Sequence, residues 1–337
     1  LVLCGGSLLS AVAPSLWLLY VARLMVGFGA ASIYLSITKE TSRIYPNNFA
    51  MMLGFVMVGG YLGGVMGNAP FIVGVQMMGW QQALLLVGGI ATLIYLAYAG
   101  LKCTLPMPEV VQTAKFDYHR FFEVLKVRQN IHILVCGGFP FGLYFAIQSI
   151  FGKKFLEDYS GMNPESAGWV LTALMVIGAV NSLLAPALSK MLKNRRRPLM
   201  LFSGVGTAAA FLLIVGCLLS GVHSPWLISG AFILLAFAGN ISPVIVALVR
   251  ESNHNDIWGV MLSVYAFLAY IVTAVIGHST GWIMELFPPQ VVDGVHIYGN
   301  DSYLAAFAVL LVIALFAAYS GFRLKESNGK DISNKIK

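Results

Sequence analysis

Apolar residues run along this chain in stretches of about 20, separated by short polar or glycine-proline breaks. Ten such stretches can be traced, over residues 1–13, 16–37, 49–74, 80–101, 131–151, 166–188, 198–219, 226–249, 257–282 and 302–322. Most are too long for strands, and as helices rising 1.5 Å per residue they match a hydrocarbon layer ~30 Å thick. The pattern predicts an all-α polytopic membrane protein with ten transmembrane helices. The connections are short except for the polar segment 102–130, which divides the spans four and six. The organisation expected is therefore a partial first helical bundle over 1–101, a linker over 102–130, a six-helix bundle over 131–323 and a tail over 324–337.

Composition agrees with lipid as the surrounding solvent. Of the 337 residues, 58% are hydrophobic and only 10% charged, and the mean hydropathy is +0.80. A soluble domain is ~45–50% apolar and ~25% charged, so a cytosolic enzyme, a secreted domain and a disordered chain are all excluded. The four cysteines lack metal-ligand spacing. Cys4, Cys136 and Cys217 sit in apolar runs and Cys103 beside a basic loop, the pattern of small buried hydrophobes and one loop thiol.

The net charge of +7 raises the question of nucleic acid. The distribution answers it. If the chain starts inside, alternate loops on the inner side hold all but three of the 21 Lys and Arg. The exceptions are Lys153 and Lys154 outside and Arg23 within a span. The positive-inside rule predicts this asymmetry, and a wrong span count would scramble it. The charge thus reports topology: an integral protein of the plasma membrane, both ends cytoplasmic, in contact with the bilayer and not with nucleic acid.

The two parts of the chain repeat each other weakly. Pro14-Ser15-Leu16-Trp17 opens the second span and Ser224-Pro225-Trp226 the eighth. Lys39-Glu40-Thr41-Ser42 closes the second and Arg250-Glu251-Ser252-Asn253 the eighth. Gly79-Trp80 and Gly281-Trp282 end the third and ninth. Parallel repeats of this kind occur in duplicated transporters. Within them, Arg23-Leu-Met-Val-Gly27-Phe-Gly29 resembles the fourth-helix R-x-x-x-G-x-G motif of the major facilitator superfamily. Gly79-Trp80-Gln-Gln-Ala-Leu resembles the stretch that opens the family's sixth helix. Ala185-x-x-x-Ser189-Lys190-x-x-Lys193 with Arg195 resembles its G-x-x-x-D-R-x-G-R loop, with Ser189 in place of the acid.

The resemblance covers nearly the whole chain and implies a two-bundle fold whose ten spans correspond to helices 3–12 of twelve. The first stretch spans only ~20 Å, so about 60–70 residues, two helices with their loops, are expected ahead of Leu1. It also implies that 102–130 is the cytoplasmic linker. Within it, residues 118–127 can form an amphipathic helix at the membrane surface or a solvated segment.

Few residues at membrane depth carry chemistry. Arg23 lies ~10 Å into its span, where a charge costs at least ~2.5 kcal/mol. It should face the bundle interior and find partners, either neighbouring carbonyls or, by the resemblance, an anionic substrate or a coupling step. His278, near the outer end of the ninth span, is a second coupling candidate because imidazole titrates near neutrality. Tyr144 and Gln148, an i, i+4 pair, and Asn181 and Asn240 are the candidate substrate contacts. They neighbour the expected kinks at Pro140 and Pro243, and transporter sites lie near broken helices at the midplane. Interhelical hydrogen bonding explains the asparagines equally well. Gly60-x-x-x-Gly64 and Gly63-x-x-x-Gly67, together with Gly27 and Gly29, are expected to serve helix packing or hinging. In antiporter branches the third stretch would carry a proline where Tyr61 stands.

No Walker-type loop, H-E-x-x-H or G-x-S-x-G is present, the histidines do not cluster, and no cofactor or metal is expected. The chain reads as a non-enzymatic, monomeric secondary transporter of a small solute, Arg23 favouring an organic anion, coupled to a proton or sodium gradient as in a symporter. The alternative is a transporter-like receptor or a partner-dependent permease subunit.

Overall fold

In a bilayer no water satisfies backbone N–H and C=O groups, so long apolar runs bond within themselves as helices. The computed structural model describes residues 1–67, 69–104, 118–254, 257–288, 290–292 and 295–335. The middle of the expected linker, with Lys115, and Lys337 lie outside the described residues. Among the described residues, nine helices of 18 to 33 residues are long and apolar enough to cross a membrane. Helix α1 (Val2–Val12) is shorter, at 11 residues, and completes the ten expected stretches.

Contacts divide the chain into two compact units, Leu1–Ile44 with Val65–Asp117, and Tyr45–Gly64 with Tyr118–Lys337. In the first, α1 packs on α2 (Leu16–Ile44) and on α5 (Trp80–Thr104). Glycines set these approaches: a Cβ at Gly29 would lie 2.6 Å from the Leu3 nitrogen, and one at Gly6 2.8 Å from the Ala22 carbonyl. The third expected stretch is divided. Helix α3 (Phe49–Met66) ends before Gly67, and α4 (Ala69–Met78) carries Pro70 in its first turn, where the missing N–H is tolerated.

The second unit opens with residues 45–64, most of α3. The sequence grouped this segment with the first bundle, whereas its contacts join it to the second unit. The amphipathic stretch of the linker forms α6 (Tyr118–Lys126) and docks against the second unit through fully buried Val124. A continuous helix follows: α7 (Arg128–Ile133), a π turn (Leu134–Gly138), α8 (Phe139–Ala146), a second π turn (Ile147–Phe151) and α9 (Gly152–Ser160). Then come α10 (Pro164–Met191), α11 (Arg197–Ser220), α12 (Pro225–Gly239), α13 (Ser242–Ser252) and α14 (Trp258–Glu285). A short antiparallel hairpin of β1 (Gln290–Val292) and β2 (Val295–Ile297) leads to α15 (Asn300–Arg323).

Helix α11 lies close against α15, because Gly204 leaves room for the Ala318 Cα, 2.7 Å from where its own Cβ would be. An aromatic cluster fills the core. Phe155 stacks on Tyr159 with ring centroids 5.2 Å apart and lies 4.5 Å from Phe307. Asn163 caps α10 by accepting from the Ser166 N–H at 2.7 Å.

Beside this core sits a buried carboxylate. Asp158, with a side chain only 4% exposed, pairs with Lys154 at 2.8 Å. It accepts the Tyr303 hydroxyl at 2.9 Å and the Tyr298 N–H at 3.3 Å. These bonds tie the end of α9 to the hairpin and the start of α15. Asp158→Ala leaves both donors and the ammonium uncompensated, and is expected to lower stability by about 3 kcal/mol. Denaturant unfolding of the detergent-solubilised protein measures it. Tyr303→Phe, which removes one bond, should cost only about 1 kcal/mol.

Candidate functional site

The break between α12 and α13 organises the polar groups of the second unit. Pro243 has no N–H to donate, and Asn240 and Ile241 leave the helix at φ −104°, ψ 55° and φ −109°, ψ 23°. Carbonyls that a continuous helix would satisfy are thereby freed, and each buried one needs a donor. Asn181 of α10 supplies it: its Nδ2 donates to the Phe237 carbonyl at 2.7 Å and to the Asn240 carbonyl at 2.9 Å. Asn240 donates its own Nδ2 to the Ala236 carbonyl at 2.9 Å, and its Oδ1 accepts the Tyr61 hydroxyl. Tyr144 packs its Cβ against Gly239 and donates to the Leu174 carbonyl at 3.2 Å. Three of the four expected substrate contacts in this unit are thus buried and bonded to the chain itself.

Gln148 differs. It is 5% exposed, and its Oε1 has no hydrogen-bond partner among the described residues. It lies in the second π turn, where backbone bonds shift to i→i+5, a distortion found mostly at functional sites. Gly152 makes that turn possible, since a Cβ there would overlap the Ile147 carbonyl oxygen. The kink expected at Pro140 takes the form of the first π turn, after which Pro140 occupies the opening turn of α8.

The remaining candidates are scattered. Arg23 is exposed on α2 and has no hydrogen bond or ion pair among the described residues. The cause is that α1 covers the opposite face of α2, through Ala22 and Gly29. Tyr20, Arg23, Leu24 and Phe28 are left lining an open groove of about 830 Å³. His278 is exposed on α14. Gly27 and Gly60 have nothing within 4 Å of a Cβ position among the described residues, and Gly67 is exposed in a turn. Gly64 does meet a neighbour, the Met175 side chain at 2.9 Å.

A second polar network was not found from sequence. The loop after α10 turns through Lys193 and Asn194, both with φ near +60°. That turn delivers Arg196, whose guanidinium pairs with Glu251 at 2.7 Å, the two side chains being 8% and 13% exposed. Ser189, standing where the family motif has an acid, accepts from Arg196 Nη1 at 2.7 Å. Glu251 also accepts the Ser327 hydroxyl at 2.6 Å, and Glu326 accepts the Arg196 and Arg197 N–H groups. The tail after α15 is in this way fastened across the ends of α10, α11 and α13. The repeat pairing Glu251 with Glu40 was the available signal, but Glu40 makes only an exposed i, i+3 pair with Arg43. A polar cavity of about 460 Å³ opens beside the network, lined by Phe49, Lys190, Arg250 and Asp331 among others. None of Tyr144, Gln148, Asn181 or Asn240 reaches it.

Membrane-length helices, a span broken around buried asparagines and a fastened loop-and-tail network define a polytopic helical membrane protein. A family model described as the Major Facilitator Superfamily matches residues 1–212. The chain belongs to that superfamily. It is 26% identical over 215 residues to an uncharacterised MFS-type transporter, YcxA, of Bacillus subtilis (strain 168). That match covers 62% of this chain and 51% of the relative, so it spans about half the relative's length. The fold is similar to the crystal structure of the MFS transporter FucP in the outward conformation. The TM-score is 0.65 at 15% identity, over 95% of this chain and 80% of FucP.

Proposed function

We propose that the protein is a secondary active transporter that moves a small solute by alternating access. The observation that carries this reading is Gln148. Leaving a buried acceptor unpaired costs roughly 1–3 kcal/mol, and a solute that donates a hydrogen bond to Oε1 recovers it. Membership of the superfamily and the broken α12–α13 span support the same reading. Arg23 supports an anionic solute, an organic acid. A guanidinium at its depth is costly in lipid, and no acid neutralises it among the described residues. Arg23 and His278 are the proposed coupling residues for a proton or sodium gradient. Both chain ends face the cytoplasm of a plasma-membrane monomer, as the loop charges suggest.

Uptake of labelled carboxylates into vesicles containing only the purified protein, under an ion gradient, tests this. Gln148→Leu and Arg23→Ala should each reduce uptake about tenfold or more, the loss expected for one hydrogen bond to a polar or charged group. Arg43→Ala should leave it unchanged. Equal uptake by the Arg23 and Arg43 variants removes the role of Arg23, and carriage of neutral solutes alone removes the organic anion. Uptake that requires an added partner protein favours the permease-subunit alternative.

A further inference from the structure

We propose that Tyr61 is a positioning residue. Its hydroxyl, carried to the break by α3, holds Asn240 and thereby keeps the α12–α13 break in the arrangement seen. The hydrogen-bond inventory at the break points to this. Asn181 satisfies the Phe237 and Asn240 carbonyls, and Asn240 Nδ2 satisfies Ala236. The Ile241 carbonyl receives the N–H groups of Val244 and Ile245, which starts α13. Asn240 Oδ1 is the buried side-chain acceptor at the break, on a residue only 1% exposed. Its donor comes from a residue 179 positions away in sequence, on α3.

The seat of the Tyr61 ring is equally specific. A Cβ at Gly178 would lie 2.7 Å from Tyr61 Cε1 and 2.9 Å from Cζ, so the ring lies on α10 where only glycine leaves room. Around Tyr61, Gly59, Gly60 and Gly63 have nothing within 4 Å among the described residues. That stretch of α3 therefore does not form a continuous packing stripe, and Tyr61 is its polar contact to the break. Because a buried acceptor without a donor is costly, the break stays set while Tyr61 is in place and loosens when it leaves. In the transport cycle this makes Tyr61 the hydroxyl that must release before the broken span changes shape. That consequence rests on the transporter reading, whereas the bond and its test do not.

Hydrogen exchange of the whole chain in lipid nanodiscs, followed by mass spectrometry, reads the break directly. Tyr61→Phe keeps the ring on Gly178 and removes only the hydroxyl. Amides of residues 237–245 should exchange about fivefold faster, the effect of one lost hydrogen bond, with no change in α11. Gly178→Ala, which displaces the ring with its hydroxyl intact, should reproduce the acceleration. Tyr61→Phe should add nothing in an Asn240→Ala background, since the bond is already gone. Exchange at 237–245 within twofold of the parent protein in both single variants overturns the proposal. So does acceleration spread equally over α11 and α15, which marks a general structural role. Failure of vesicle uptake with the exchange result intact counts against the transporter reading alone.

Discussion

Glu251→Ala is expected to destabilise the second unit by about 3–5 kcal/mol, the cost of stranding one partner of a buried ion pair. Three features make this larger than for an ordinary charge. Arg196 is held inside by its turn through Lys193 and Asn194, so it cannot swing out to water when its partner goes. Glu251 is also the side-chain acceptor for the Ser327 hydroxyl, so the tail loses that anchor with it, while the Ile332 N–H keeps its bond to the residue-251 backbone carbonyl. Ser189 alone then faces the guanidinium. Glu40→Ala is the matched control at the repeat-related position. Its pair with Arg43 is more than half exposed on both sides, and such pairs contribute about 0–1 kcal/mol. Denaturant unfolding of both variants in the same detergent measures the difference. Limited proteolysis should cut the tail of the Glu251 variant first. Equal stabilities for the two variants would show that the buried pair is not the fastening.

Gly54→Ala should destabilise by at least about 1–3 kcal/mol, the usual cost of overpacking, because the added methyl overlaps the Ser182 carbonyl oxygen of α10. That obstacle is backbone and cannot rotate aside. Ser182 also donates towards the Gly54 carbonyl at 3.4 Å, a bond that a shift of α3 would break. Gly60→Ala, six residues along the same helix, meets nothing within 4 Å among the described residues. It should be neutral or stabilising by up to about 1 kcal/mol, since glycine is a poorer helix former than alanine. Opposite signs from two identical substitutions in one helix can be read from melting temperatures. Like signs would place α3 elsewhere.

The contrast between Gly54 and Gly60 shows where sequence reading stops. The G-x-x-x-G spacing singled out Gly60, Gly64 and Gly67, yet the tightest approach falls at Gly54, outside that spacing. A motif records which residues are small, not which face of the helix meets a neighbour. Arg23 has the same lesson. Its depth in the span follows from counting residues, but its exposure follows from α1 packing on the other side of α2.

The asparagines divide the same way. Pro243 marked the break, because a missing N–H is a property of one residue. The commitment of Asn181 to the Phe237 and Asn240 carbonyls depends on α10 and α12 lying side by side. Gln148 was placed on the right helix by sequence, and only the three-dimensional surroundings left its oxygen without a partner.

The sequence by itself determined the solvent, the long apolar helices and the bends near Pro140 and Pro243. These depend on runs of neighbouring residues: apolar length sets a helix, and proline a break. Tertiary structure alone decided that α3 joins the second unit, that Arg196 meets Glu251, that Asp158 is buried, and that Tyr61 reaches Asn240. Those partners lie between 55 and 179 residues apart, except for the local Lys154–Asp158 pair. A side chain's own neighbours in the chain carry no record of what a distant helix will bring against it.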